Sequence, residues 1–184
     1  MKRLWIALAV FGVIMIGTCI ALDAPTIVYF ICFGILGAVY FITAPLFKAA
    51  DNLLSSGMII TRDADFMKNA QIFMLSKMSM DTLISAMKKE GLPFDGLSWK
   101  AGEDAMSFSY NQWDAQMIKL PNDYEYDKFR FSFTGWQTMK YGQAVDITQM
   151  NQLLTAIEKA FIKLDPNTKV KTEQIKVNTK SSFL

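Results

Sequence analysis

Two charge-free apolar runs, residues 4–22 and 26–47, open the chain, bracketed by Lys2-Arg3, Asp23 and Lys48. A helix rises about 1.5 Å per residue, so roughly 20 apolar residues cross a hydrocarbon core of about 30 Å. Both runs meet that length, and the turn Asp23-Ala24-Pro25 leaves room only for an antiparallel return. Pro25 suits the first turn of a second helix, where a missing N–H costs nothing. The sequence therefore predicts a two-helix transmembrane hairpin over residues 1–48, with helices at about 4–22 and 26–47. A cleaved signal fits less well: the first run exceeds the usual apolar core of about 7–15 residues, and no Ala-x-Ala site follows it. A lipoprotein leader fits worse still, because branched Thr18 stands directly before Cys19.

Charge gives the hairpin an orientation. Lys2 and Arg3 flank one end, Lys48, Arg62 and Lys68 follow the other, and the connecting turn holds only Asp23. Lysine and arginine beside membrane segments stay in the cytoplasm. A multi-pass membrane location with both termini cytoplasmic is expected, in the inner membrane if the source is bacterial. Neither run contains an ionisable residue of the kind that marks proton relays and ion pathways, so transport by the hairpin alone is not expected. Gly17 with Ala21 and Gly34 with Ala38 form small-xxx-small pairs that would let the two backbones approach.

The rest of the chain is notable for what it lacks. There is no histidine, and both cysteines, Cys19 and Cys32, lie inside the apolar runs. Structural zinc, haem ligated by His or Cys, Ser-His-Asp triads and cysteine nucleophiles thus have no residues to form from. No metal or cofactor is expected, although carboxylate, serine, lysine and tyrosine chemistry stays open. A net charge of +2 argues against a nucleic-acid binder, which concentrates basic residues on one face.

Residues 49–62 read as a connector and 63–184 as one α+β domain. Asp63 caps an expected helix on which Phe66, Met67, Ala70, Phe73 and Met74 recur at helical spacing. Ser79 caps a second helical piece that stops at Gly91. The period then changes to two. Met106, Phe108 and Tyr110 alternate with serines, residues 115–120 follow as a less regular strand, and Phe129, Phe131 and Phe133 alternate with Arg130, Ser132 and Thr134. Such alternation belongs to an antiparallel sheet with one buried face. Asp146, with Gln149 three residues on, opens a helix lined by Met150, Leu153, Leu154, Ile157, Phe161 and Leu164. A last strand is expected near residues 170–177. The fold class predicted is α+β, a small antiparallel sheet with helices packed on one face.

Three patterns suggest chemistry or binding. Ser85-Ala86-Met87-Lys88 fits S-x-x-K, but no companion motif accompanies it, and the pair suits the wet side of an amphipathic helix. Asp123-Tyr124-Glu125-Tyr126-Asp127 spaces three carboxylates at alternate positions, yet lacks the glycine and distal glutamate of a calcium loop; a solvated acidic loop is expected. Glu103-Asp104 is a weaker pair of the same kind. Met67, Met74, Met78, Met80 and Met87 crowd one region and are candidates for a partner-binding face, since methionine packs adaptably. Trp99, Trp113 and Trp136 are expected in the core or at its rim. Lys169, Lys171, Lys176 and Lys180 make the C-terminal stretch basic, a candidate for contact with anionic lipid or simply a solvated edge strand. The function expected is that of a membrane-anchored, non-enzymatic subunit whose cytoplasmic domain assembles with or recruits other proteins. A tethered sensor of a small apolar or lipidic ligand is the alternative.

Overall fold

A computed structural model of the chain describes residues 2–63, 65–91, 93–121, 125–140, 143–145 and 147–180. The chain divides into two compact units, Met1–Gly57 and Met58–Leu184.

The first unit is helical. Helix α1 spans Lys2–Ala21 and α2 spans Thr26–Ser55, with Pro45 inside it. α2 is long and apolar enough to cross a membrane by length and composition; the apolar part described for α1, Leu8–Ala21, is shorter. α2 passes Lys48 and stops at Ser55-Ser56-Gly57, where the hydroxyls of Ser55 and Ser56 donate to carbonyls of the preceding turn and Gly57 takes φ 69°. The helices meet through Gly12 and Cys19, both buried. A Cβ at Gly12 would lie 3.6 Å from Leu36 Cδ1, and Cys19 Sγ lies 3.9 Å from Cys32 Sγ. This corrects the expected seam. Gly17, Ala21, Gly34 and Ala38 are exposed, and nothing stands within 4 Å of a Cβ at Gly17 or Gly34. Both pairs lie off the face on which residues 12 and 19, two turns apart, line up.

The second unit is an α+β domain. A 3-10 turn at Phe66–Lys68 leads into β1 (Asn69–Leu75), followed by α3 (Met80–Glu90), β2 (Ser98–Ala101), β3 (Ala105–Tyr110), β4 (Trp113–Leu120) and β5 (Asp127–Gln137). A two-strand ribbon, β6 (Met139–Lys140) and β7 (Gln143–Ala144), precedes α4 (Ile147–Leu164), β8 (Lys169–Gln174) and β9 (Asn178–Lys180). Six strands pair antiparallel in the order β2-β3-β4-β5-β1-β8, and β9 pairs parallel with the far end of β5.

β1 overturns the expected helix over Phe66–Met74. Apolar residues three and four apart satisfy a helix in isolation, but Phe73 pairs with Phe129 on β5 and with Val170 on β8. A slot between two strands, satisfying both edges of its backbone, outweighs a weak local preference. The second expected helix forms as α3: Ser79 Oγ accepts from the Thr82 N–H at 3.1 Å, and Gly91 ends it at φ 80°. Between β3 and β4 the chain turns at Asn111, which takes φ 41°, a conformation asparagine tolerates better than most residues. Asp146, the expected cap of α4, lies outside the described residues. Gln149 Nε2 donates to Tyr110 Oη at 2.8 Å.

α3 and α4 cover one face of the sheet. Phe73 stacks on Phe161 at 4.2 Å with the planes 14° apart, and Phe129, Phe131, Phe133, Met106, Phe108 and Met117 fill the layer beneath. The α4 face read from the sequence is the face seated here, with Leu164 at its margin. Three polar ties hold the periphery. Arg62 reaches a stripe on α4, donating Nε to Asn151 Oδ1 at 2.9 Å and both terminal nitrogens to Glu158 at 3.0 and 2.5 Å. Asp127 Oδ2 accepts from the Met78 N–H at 2.5 Å, just before α3. Asp165 accepts from Asn167 N, Ser76 N and Ser76 Oγ at 2.9, 3.1 and 3.0 Å, which joins the end of β1 to the end of α4.

Phe131→Ala should cost about 3–5 kcal/mol in denaturant unfolding of the full chain in detergent, whereas Ser132→Ala, one residue on and facing away, should change it by less than about 0.5 kcal/mol. Equal effects would refute the register. The amide hydrogen bonds at Asp165, that from Asn167 first, hold its carboxyl below the usual range. A depressed native pKa contributes stability that is present above the unfolded value and lost as pH falls through the native one. Between about pH 5 and pH 2 the melting temperature of Asp165→Asn should fall less steeply than that of the wild type.

Candidate functional site

With α3 and α4 packed on one face of the sheet, strand register decides what the other face presents. Residues 127, 129, 131 and 133 of β5 enter the core, so Lys128, Arg130, Ser132 and Thr134 look outward. Register then builds two rows across four strands. Lys171, Ile72, Arg130 and Ile118 stand in one row on β8, β1, β5 and β4, and Lys169, Met74, Lys128 and Leu120 stand in the next. Each row alternates cation and apolar side chain.

Read along the strands instead of across them, the same residues form columns. Ile72 and Met74 of β1 make an apolar floor. The floor is walled by Lys169 and Lys171 on β8 and by Lys128 and Arg130 on β5. Ile72 is only 8% exposed although it faces away from the core, because the flanking stems cover it. The concavity holds about 350 Å³ and is lined by Ile72, Met74, Leu120, Lys128, Arg130, Lys171 and Glu173. Arg130 Nε is buried without a hydrogen-bond partner among the described residues. Lys169 Nζ donates to Tyr126 Oη at 3.0 Å and lies 4.8 Å from the centre of that ring; the hydrogen bond raises the lysine pKa and keeps it charged. Lys171 pairs with Glu173 at 3.2 Å, the lysine exposed and the glutamate partly so, and a solvated pair of this kind is weak.

The other half of the open face is hydroxyl-rich. Ser98, Ser107, Ser109 and Thr134, with Lys100, Asp114 and Gln116, line a shallow depression of about 630 Å³. A third hollow of about 500 Å³ lies beside the end of α3 and α4, between Met58, Pro93, Ala156 and Ala160, with the Glu90–Lys163 ion pair at its rim. Among the described residues no three carboxylates approach closely enough to share an ion.

The methionines expected to form a docking face are dispersed. Met67 lies in the 3-10 turn, Met78 in the loop before α3, and Met80 and Met87 on α3, all buried in the core. They fill space between sheet and helices, which removes them from any partner surface. Met74 alone lies on the open face, because β1 alternates where a helix would have grouped it with Met67. Trp113 and Trp136 are core residues, and Trp99 is half-buried against Phe108. Ser85 and Lys88 are exposed on α3. Of the acidic loop, Asp123 and Tyr124 lie outside the described residues, Glu125 is exposed, and Asp127 is a backbone acceptor rather than a ligand. Among the C-terminal lysines, Lys169 and Lys171 join the site and Lys176 is exposed in the loop after β8, while the side chain of Lys180 lies outside those described. The sequence did single out Lys169 and Lys171, as part of a basic C-terminal stretch with Lys176 and Lys180. Nothing local marked Ile72, Ile118 and Leu120 as their neighbours.

No family model, curated protein or solved structure matches this chain.

Four cations about 7–10 Å apart repel one another, so the site should be a weak point of the fold rather than a support. Arg130→Gln with Lys171→Gln should leave the melting temperature unchanged or raise it, most clearly at low salt, because screening already relieves the repulsion at high salt. A fall of several degrees would give these side chains a structural role.

Proposed function

We propose that this chain is a membrane-anchored, non-enzymatic protein whose α+β domain assembles with another protein through the open face of its sheet. The observation that carries the proposal is the double row of alternating cations and apolar residues on the sheet face opposite α3 and α4. A sheet needs only one covered face to be stable in water. The second face here carries neither the uniform polarity of a solvated surface nor the continuous apolar surface of a core.

The anchor in this proposal is a transmembrane hairpin made of α1 and α2. It is supported by the length of α2 and by the outward apolar side chains of both helices, among them Val10, Val13 and Ile20 on α1 and Phe30, Phe33 and Phe41 on α2. In water those side chains would form an apolar surface far larger than soluble proteins expose. Lysines and arginines beyond both outer ends favour cytoplasmic termini. The alternative, a tethered sensor of a small apolar ligand, needs a chamber between sheet and helices. Against it, Phe73, Phe129 and Phe161 are fully buried there and in ring contact.

Two measurements test the two halves of the proposal. A reporter fused after Leu184 should be active only as a cytoplasmic fusion; activity on the opposite side would overturn the topology. Purified in mild detergent from its own membranes, the full chain should bring down a partner protein in fixed ratio, and Arg130→Glu with Lys171→Glu should abolish that association while the chain stays in the membrane fraction. A partner retained equally by the wild type and the charge-reversed chain would remove the open face from the proposal.

A further inference from the structure

We infer that the segment received by the open face is an acidic amphipathic helix of the partner, lying along β1 between the two cation columns; the inference rests on the docking role proposed above and specifies its chemistry. Neighbouring strands stand about 4.8 Å apart, so the β8 and β5 columns flank β1 with about 10 Å between them. An α-helix with its side chains is about 10–12 Å across. Along each column, Lys169 and Lys171, or Lys128 and Arg130, are two residues and about 7 Å apart. Residues i and i+4 of a helix rise by about 6 Å, so carboxylates at that spacing on either flank meet successive cations. A narrow apolar stripe between them would settle on Ile72 and Met74.

Other occupants fit less well. An extended peptide would need a free strand edge, and β1 is paired on both sides, to β5 and to β8. A lipid surface is met by apolar side chains that protrude, whereas Ile72 is recessed beneath the stems of its neighbours and the site is concave. A ridge of helix side chains can enter such a groove. Charge complementarity gives the sign: the two rows hold four cations, with Glu173 at the border, and Arg130 Nε lacks an acceptor that a partner carboxylate can supply once the side chain rotates.

The test uses the full chain in its own membranes, with Met74→benzoylphenylalanine as a photo-crosslinker in the groove. After irradiation, the crosslinked peptide is identified by mass spectrometry. The expected peptide comes from another protein and carries Asp or Glu at i and i+4 on both sides of an apolar helical stripe. Its yield should fall at least tenfold when Arg130→Glu and Lys171→Glu are added. The milder pair, Arg130→Gln with Lys171→Gln, whose melting is followed in parallel, should give an intermediate loss from a folded chain. A crosslink to phospholipid overturns the inference, as does a yield indifferent to charge or the absence of any crosslink. A protein segment that is basic or strand-like overturns the acidic helix but leaves the docking role standing. Release of the chain by alkaline extraction would count separately against the membrane anchor.

Discussion

The second unit depends on the alternation of β5. Phe129, Phe131 and Phe133 are each 1% exposed or less, and the residues between them face the opposite way. A strand has no third direction in which to send a side chain, so a phenylalanine at every second position commits the whole sheet to one dry face and one wet one. Strands pairing with β5 inherit that commitment through register: Phe73 opposite Phe129, Met117 opposite Phe131, Ala115 opposite Phe133. α3 and α4 then have a single place to bury their apolar stripes. The open face is the necessary remainder, and its composition is what distinguishes this chain from an ordinary two-layer domain.

Polar groups at the margin of the core fix how the elements join. Asp127 satisfies the Met78 N–H before α3, Asp165 satisfies two amides where β1 and α4 end, and Arg62 is held by Glu158, Asn151 and Thr155 with its guanidinium over the Phe66 ring. Each answers the same requirement, that a backbone or charged group taken from water must find a partner. Asp127 illustrates how ambiguous carboxylates are in a sequence. Spaced at two from Glu125 it resembles a ligand, but in the fold it faces the core side of β5, where a backbone donor already waits.

The candidate site follows a different logic from these ties. Its cations are partly solvated and close to one another, with Lys169 held by Tyr126 and Lys171 by Glu173. An arrangement that costs some stability and presents apolar residues between like charges is well suited to an oppositely charged surface that brings its own apolar ridge. The buried methionines take no part in it. Their adaptable shape fits them to the irregular space between a twisted sheet and two helices, the same property that made them candidates for a docking face.

From residues alone the chain disclosed its charge-free apolar stretches, the period-two strands, the Ser79 and Gly91 boundaries of α3, and the buried stripe of α4. All of these are local: periodicity and caps are set by neighbours within a few positions, and the physics that reads them is local too. The sequence also excluded the chemistry of histidine and cysteine from everything after residue 48. It misread residues 66–74 as helix because apolar spacing of three and four is compatible with either structure until partner strands are known. It assigned the wrong seam to α1 and α2 because small residues recur on more than one face of an apolar helix. Only tertiary structure set Ile72 and Met74 between the lysines of β8 and the Arg130 and Lys128 of β5. These residues lie up to about a hundred positions apart in the chain, and strand register, fixed by burial of the opposite face, is what brings them together.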